Sequence, residues 1–243
     1  IEGAVAATLI GTSIAAGFGL YRFLSKNSVS FNSDYFAPKT LLAFSWPLFL
    51  VAVFNIFGQW YGVIFLGFFM DSSAAGIYEI ALSVAGTLGL FLTTVSYMFM
   101  PVVSELYGKD KVSEISSIYS TSTRWIFTAL LPVFAAMTIF PQEILLLMFG
   151  AQYAKGASIL AVMATGFFFS VAIGPGEMVL LSTGRTKQYM LSVGSMVIIG
   201  SLLCLFLIPS YGLMGAAIAT FAGTVIGNLL ILAFVKKELG SLP

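Results

Sequence analysis

Histidine is missing from the 243-residue sequence, and cysteine occurs once, at Cys204. Without imidazole the chain cannot build His-Glu-x-x-His zinc sites, Ser-His-Asp triads or Cys-His nucleophile pairs. A single cysteine inside an apolar run also excludes a disulfide framework. Most hydrolytic chemistry is therefore excluded, and we expect neither an enzyme nor a bound metal or cofactor.

Charge is scarce as well. Charged residues make up 9% of the chain against 59% hydrophobic residues, and the mean hydropathy is +1.01. Soluble domains carry roughly 25% charged residues, because their surfaces must stay hydrated. The net charge of +1 provides no basic footprint for nucleic acid. This composition predicts an integral membrane protein whose few charges lie in loops, with no nucleic-acid partner.

Long uncharged stretches outline the membrane spans. A helix that crosses the ~30 Å hydrocarbon layer needs about 20 apolar residues. The last uncharged stretch is long enough for two crossings, and the turn residues at 209–212 (Pro-Ser-Tyr-Gly) would divide it. The sequence therefore predicts an all-α integral membrane protein with seven transmembrane helices. The uncharged stretches are 3–21, 40–70, 80–104, 125–142, 156–176 and 188–235.

Basic residues are distributed unevenly over the predicted loops. Ten would lie on one side of the membrane, and only Lys155 would lie on the other. Short loops rich in Lys and Arg stay in the cytoplasm, so we expect a multi-pass protein of the cell membrane with a cytoplasmic C-terminus and an external N-terminus. The ten are Arg22, Lys26, Lys39, Lys109, Lys111, Arg124, Arg185, Lys187, Lys236 and Lys237.

The first and last predicted spans resemble each other. The chain has GAVAATLIGTSI from Gly3 and GAAIATFAGTVI from Gly215, with seven identical positions of twelve. Both spans would cross from outside to inside, as in the parallel repeats of some transporters. Small residues recur every four positions in both, which permits close backbone approach. Generic membrane packing would explain those small residues but not the matched threonines, Thr8 with Thr220 and Thr12 with Thr224.

The repeat predicts that the chain is a fragment of a duplicated protein. Residues 1–21 would be the last transmembrane helix of an incomplete N-terminal lobe, and 22–39 a cytoplasmic linker. Residues 40–235 would form a C-terminal six-helix lobe, followed by a cytoplasmic tail at 236–243. About five helices of the first lobe would then lie upstream.

One carboxylate is predicted to lie inside the hydrocarbon. An ionised side chain at mid-bilayer costs roughly 2.5–3.5 kcal/mol, so such a residue is a functional candidate. Glu177 follows Gly174-Pro175-Gly176 at the end of the fifth span. Proline and glycine should bend the helix there and leave carbonyls for a cavity or a neighbouring helix to satisfy. The bend either marks a binding site, as broken helices do in transporters, or is a simple kink.

Polar side chains also recur at helical spacing within two predicted spans. Each such stripe could line an aqueous cavity, or could supply interhelical hydrogen bonds worth ~0.6 kcal/mol apiece. The inner end of the fourth span carries Arg124 beside Trp125, either as a positive-inside anchor or as a phosphate contact. The stripe residues are Asn55 and Gln59 in the second span, and Glu79, Ser83, Thr87 and Thr94 in the third.

Short motifs follow one another along the whole chain in a recognisable order. They are LGFF at 66–69 with AGIY at 75–78, Pro101 with SELY at 104–107, FG at 149–150, STGR at 182–185, and IP at 208–209 with YG and GAAIAT up to 220. In this order and spacing the chain resembles the polysaccharide export and O-antigen flippase family of the multidrug/oligosaccharidyl-lipid/polysaccharide transporter superfamily.

The resemblance implies two six-helix lobes around a central cavity that faces either side of the membrane in turn. Such a transporter carries a polyprenyl-diphosphate oligosaccharide from the cytoplasmic to the outer leaflet, among membrane lipids and beside a polysaccharide polymerase and glycosyltransferases. Many relatives have an acidic residue shortly before the Leu-Gly of the second lobe's first helix. This chain has Gln59-Trp60-Tyr61-Gly62 there, which argues against a cation-coupling role for that position.

Two other functions fit parts of the pattern. A cation-coupled multidrug exporter of the same superfamily shares the topology and would need a carboxylate buried within the lobe, for which Glu177 is the strong candidate. A seven-helix receptor or photosensor also has an external N-terminus. Retinal needs a lysine in the last helix, however, and there is none between Leu213 and Val235. An intramembrane protease is disfavoured, because histidine and a Gly-Asp motif are both absent.

Overall fold

The computed structural model describes residues 2–26 and 38–240, and side chains at 9–25, 39 and 41–240. The described part therefore leaves out most of the predicted linker and the end of the tail. It also leaves out the side chain of Thr8 and the surroundings of Gly3. All regular elements in that part are helices. They are α1 (Glu2–Lys26), α2 (Pro38–Phe69), α3 (Ser72–Gly108), α4 (Val112–Ile139), α5 (Pro141–Phe149), a 3-10 helix (Ala151–Gly156), α6 (Ala157–Ile173), α7 (Gly176–Ser182) and α8 (Thr186–Leu239).

Five helical segments among the described residues are long and apolar enough to cross a membrane. The fifth has 54 residues and is interrupted at Gly212, whose φ of 55° and ψ of −133° are not helical. Glycine adopts such positive φ angles without steric cost. An all-α multi-pass membrane protein is thereby confirmed, while the count of seven stays a prediction. The segments are Leu41–Phe69, Ser72–Gly108, Val112–Ile139, Ala151–Ile173 and Thr186–Leu239.

The break at Gly212 falls in the turn that the sequence predicts. We call residues 186–211 the first arm of α8 and residues 213–239 its second arm. A Cβ on Gly223 would lie 2.6 Å from the carbonyl oxygen of Met196, and one on Gly227 would lie 2.7 Å from the Cβ of the same residue. The small residues of the second arm therefore pack directly on the backbone of the first arm, as their spacing predicts.

The chain divides into two units, residues 1–41 and 42–243. In the first unit, every described side chain from Leu9 to Ser25 on α1 is exposed. In the second, α6 packs against α3, α4 and α8, and a core forms around the fully buried Leu88 and Leu160. A second cluster, which includes Tyr119, joins α4 to α7 and to the end of α8.

The first turns of α4, residues 112–123, are amphipathic, and the helix continues without a break from Val112 to Ile139. The apolar face of these turns is buried, with Ile115 and Tyr119 fully covered. It is covered by neighbouring helices, because Tyr119 belongs to the cluster shared with α7 and α8.

Candidate functional site

A cavity of about 730 Å³ lies inside the second unit, between α2, α3, α6, α7 and both arms of α8. The wall residues that are exposed define its mouth, and those that are buried define its floor. The mouth is formed by α2 and α3, through Asn55, Gln59, Trp60, Tyr97 and Met100. The floor is formed by Tyr61, Met178, Tyr189, Val193, Val197, Thr220 and Thr224.

The cavity wall carries two carboxylates, Glu79 on α3 and Glu177 on α7. Within the described part of the chain, no lysine or arginine contributes to this wall. The Oε2 atom of Glu79 is buried and has no hydrogen-bond partner among the described residues. The cavity is therefore acidic, and its remaining polar groups are uncharged amides and hydroxyls.

Glu177 is held by a hydrogen-bonded chain across three helices. The Tyr189 hydroxyl of α8 donates to Oε2 of Glu177 at 3.1 Å. Asn55 of α2 forms a further side-chain hydrogen bond with Tyr189. The contacts therefore run from Asn55 on α2 through Tyr189 on α8 to the Glu177 carboxylate on α7.

A second polar cluster lies on the floor, where Thr220 joins α2, α3 and α8. The Tyr61 hydroxyl donates to Oγ1 of Thr220 at 3.2 Å, and the Tyr78 hydroxyl lies 2.8 Å from the same atom. All three residues are buried. Neither tyrosine carries a sequence signal for a site, because aromatic residues are frequent throughout these apolar helices. Thr220 is marked in the sequence by the repeat and by the GAAIAT motif.

The predicted bend before Glu177 is a complete break between α6 and α7. Gly174 has a φ of 73°, and the Tyr119 hydroxyl of α4 donates to the Ile173 carbonyl at 2.6 Å. A Cβ on Gly174 would collide with the side chain of Thr123. A neighbouring helix thus satisfies the carbonyl that the break frees. Because α7 begins at Gly176, Glu177 lies in its first turn and on the cavity wall.

The seven residues predicted from the sequence occupy three places. Four are brought together in the cavity wall: Asn55, Gln59, Glu79 and Glu177. Two others on α3 lie outside the wall, since Ser83 is exposed and Thr87 donates to the Val84 carbonyl of its own helix. The seventh, Arg124, is exposed on α4 and lines a separate cleft with Thr121, Trp125 and Thr128.

The face that α3 turns to the cavity differs from the predicted stripe. The α3 residues in the wall lie at positions 79, 82, 86, 93, 97 and 100, whereas the predicted stripe runs through 79, 83, 87 and 94. Both sets begin at Glu79 and are compatible with a helix. α3 packs on α6, α4 and α7, and in this rotation Gly86 and Thr93 lie at the wall instead of Thr87 and Thr94.

These features define an all-α multi-pass membrane protein with an acidic, amide-bearing internal cavity. Residues 4–158, more than half of the chain, match the family described as "Polysaccharide biosynthesis protein". The chain belongs to this family, which confirms the resemblance found in its motifs.

Two relatives in Haloferax volcanii are named as flippases. A "probable low-salt glycan biosynthesis flippase" is 26% identical over 94% of this chain and 48% of its own length. The "probable flippase AglR" is 25% identical over 96% of this chain and 49% of its own length. The chain thus spans about half the length of these curated relatives.

Two solved structures share the fold. One is an outward-facing multidrug resistance MATE family transporter of the MOP superfamily, with a TM-score of 0.58 and 18% identity, covering 82% of this chain and 46% of that one. The other is a MOP superfamily transporter from Pyrococcus furiosus, with a TM-score of 0.59 and 17% identity, covering 84% of this chain and 46% of that one. At these identities the likeness concerns the fold alone.

Proposed function

We propose that the complete protein is a transporter, not an enzyme, that moves a lipid-linked oligosaccharide from the cytoplasmic to the outer leaflet by alternating access. The observation that carries this proposal is the cavity of about 730 Å³ with amides and aromatic rings at its mouth. Its volume lies within the roughly 300–1,000 Å³ range of small-ligand sites. The relatives named as flippases support the substrate class.

The lining suits a sugar headgroup. Stranding one hydroxyl in an apolar medium without a partner costs several kcal/mol, so a path for sugars must offer hydrogen-bonding groups along its length. The amides of Asn55 and Gln59 both donate and accept, and Trp60 and Tyr97 present aromatic surfaces at the mouth. Uncharged groups of this kind can exchange partners as the headgroup moves.

The diphosphate of such a substrate belongs elsewhere. Two carboxylates in the wall, Glu79 and Glu177, would repel it, and the described wall residues include no cation to offset them. We therefore assign the sugars to the cavity and the diphosphate to the surface outside it. Arg124, exposed on α4, stays a proposed phosphate contact at entry.

The arrangement in the membrane is part of the proposal. Counting both arms of α8 and α1 gives seven crossings of the cell membrane, with the C-terminus cytoplasmic and α1 as the last helix of a first lobe. The Gly212 break, the one-sided basic residues and the half-length match to the relatives support it. A polysaccharide polymerase and glycosyltransferases would be the partners in surface polysaccharide assembly.

Cysteine labelling tests this topology. In a Cys204→Ala background, an impermeant reagent should modify a cysteine placed at Gln152 from outside and should not reach one placed at Ser113. Modification of position 113 from outside in intact cells would overturn the orientation.

The transport path is tested with the pair Asn55→Leu and Gln59→Leu in the complete protein. Both side chains are in the cavity mouth, and their loss should abolish surface polysaccharide while the protein level persists. The matched control is Ser83→Leu with Thr94→Leu, which makes the same kind of change at exposed positions of α3 outside the wall. Normal surface polysaccharide in the Asn55/Gln59 variant would remove α2 from the path.

A cation-coupled drug exporter is the second candidate. The acidic wall favours it, because Glu79 and Glu177 could attract a cation or carry a proton. Glu177→Gln keeps the hydrogen bond with Tyr189 possible and removes the charge. If surface polysaccharide is unchanged in this variant while drug accumulation rises, the exporter is favoured. Loss of polysaccharide would instead assign the carboxylate to the flippase.

A further inference from the structure

The two ends of α8 meet at an ion pair outside the cavity. The Arg185 guanidinium donates through Nε to Oε2 of Glu238 at 2.8 Å and through Nη2 to Oε1 at 3.2 Å. Tyr107, at the end of α3, donates to Oε1 at 3.4 Å. Glu238 also raises the pKa of Arg185 through its hydrogen bonds, although a guanidinium is charged at physiological pH in any case.

This two-pronged geometry is one that arginine uses for phosphates as well as for carboxylates. The Arg185 side chain is 47% exposed, so its partner can be exchanged with a group arriving from outside. The Glu238 side chain is only 14% exposed and also accepts a hydrogen bond from Tyr107, so it keeps a partner when Arg185 turns to another group.

A cleft of about 240 Å³ adjoins the pair. Leu180 and Phe234 give it an apolar side, and Gln188 and Lys237 add hydrogen-bond donors beside Arg185. Lys187 and Lys236 are exposed at the neighbouring positions of the two ends of α8. Four cations thus accompany the single carboxylate of Glu238, which leaves the local surface positive.

We propose that Arg185 and this cleft bind the phosphate group of a lipid headgroup, and that Glu238 occupies the guanidinium while the site is empty of lipid. The phosphate would take the two N–H groups that now point at Glu238, with Lys237 beside it. The apolar side of the cleft would receive the first carbons of the lipid chain. A polyprenyl diphosphate and an anionic glycerophospholipid share this phosphate chemistry.

Binding to the purified complete protein tests the site, by native mass spectrometry with farnesyl diphosphate, dioleoyl phosphatidylglycerol and farnesol as probes. Arg185→Ala should weaken phosphate-probe binding about tenfold, since a charge-assisted pair of bonds is lost. Glu238→Gln should strengthen it by about threefold or more, because the competing carboxylate becomes neutral. Farnesol, which lacks phosphate, should bind poorly to every variant.

Lys109→Ala is the matched control, since Lys109 is an exposed cation whose ion-pair partner is Glu105, outside the cleft. It should leave binding unchanged. Arg185→Lys keeps the charge and the fold but cannot donate two parallel hydrogen bonds from a planar group. It should therefore bind the phosphate probes more weakly than wild type.

The probes also separate the two sources of phosphate. A response confined to farnesyl diphosphate assigns the site to the transported lipid, and an equal response to phosphatidylglycerol assigns it to a membrane lipid. Wild-type affinity in both Arg185→Lys and Glu238→Gln would overturn the site and leave the pair purely structural. Because binding is measured without transport, that failure would not touch the proposed function, which the Asn55/Gln59 variant tests separately.

Discussion

The second arm of α8 and the helix α1 share seven of twelve positions in their matched segments and have opposite surroundings. Gly215 and Gly223 are buried against the first arm of α8. On α1, a Cβ at Gly11 would meet no atom within 4 Å, and the described side chains are all exposed. A row of small residues therefore permits close packing but does not produce it alone. Membrane helices gain little from apolar burial, so close packing also requires a partner helix with a complementary surface.

The partner of the second arm is supplied by the chain itself. The break at Gly212 turns α8 back so that residues 215, 223 and 227 meet the backbone and side chains of residues 192–208. The matched threonines differ in the same way. Thr224 is buried in α8, whereas its counterpart Thr12 is exposed and donates to the Leu9 carbonyl of its own helix.

The largest expected effect is the difference in stability between a leucine at position 223 of α8 and a leucine at position 11 of α1. Gly223→Leu would drive its side chain into the Met196 carbonyl and Gly200, where backbone must shift, and should destabilise the chain by about 3 kcal/mol. Gly11→Leu, which enters open space, should leave stability within about 0.5 kcal/mol or raise it, since leucine favours a helix. Fluorescence-detected thermal unfolding of the two variants measures the difference. Equal melting temperatures would show that the contact between the two arms of α8 can accommodate a large side chain at position 223.

The predicted repeat extends the comparison of Gly11 and Gly223 to the complete protein. If α1 closes a first lobe as the second arm closes the second, Gly11→Leu in the complete protein should lower the melting temperature about as much as Gly223→Leu does. The physical reason is the same, because overpacking a close helix contact costs roughly 1–3 kcal/mol. A harmless Gly11→Leu in the complete protein would mean that the two helices are not equivalent.

The next effect concerns the turn at Gly212, which folds the first arm of α8 against the second. Gly212 combines a φ of 55° with a ψ of −133°, a conformation that is strained for residues with a Cβ, so Gly212→Ala should cost about 1–3 kcal/mol. Gly67→Ala is the control, since that position is helical in α2 and has open space around it. Urea unfolding in mild detergent compares the two. A Gly212→Ala variant as stable as Gly67→Ala would contradict the strained turn.

The sequence predicted the local features of this fold better than the distant ones. Proline and glycine mark the breaks at 174–176 and 209–212 because they act on their own backbone. The polar residues Asn55 and Glu177 were found because they stand alone in apolar stretches. The rotation of α3 and the pairing of Arg185 with Glu238 could not be found, since both depend on contacts between residues far apart in the chain.

The smallest effect tests the threonine that the repeat singled out. Thr220→Val would leave the hydroxyls of Tyr61 and Tyr78 without their shared partner, and an unpaired buried hydroxyl costs about 1–3 kcal/mol. Part of that cost should be recovered, because Tyr61 lines the cavity and its hydroxyl can turn toward water in it. We therefore expect a loss of about 1–2 kcal/mol, and close to zero for Thr12→Val, which is exposed. Adding Tyr78→Phe to Thr220→Val should restore part of the stability, since it removes one stranded hydroxyl. If the double variant is less stable than Thr220→Val alone, the cluster acts through packing and not through its hydrogen bonds.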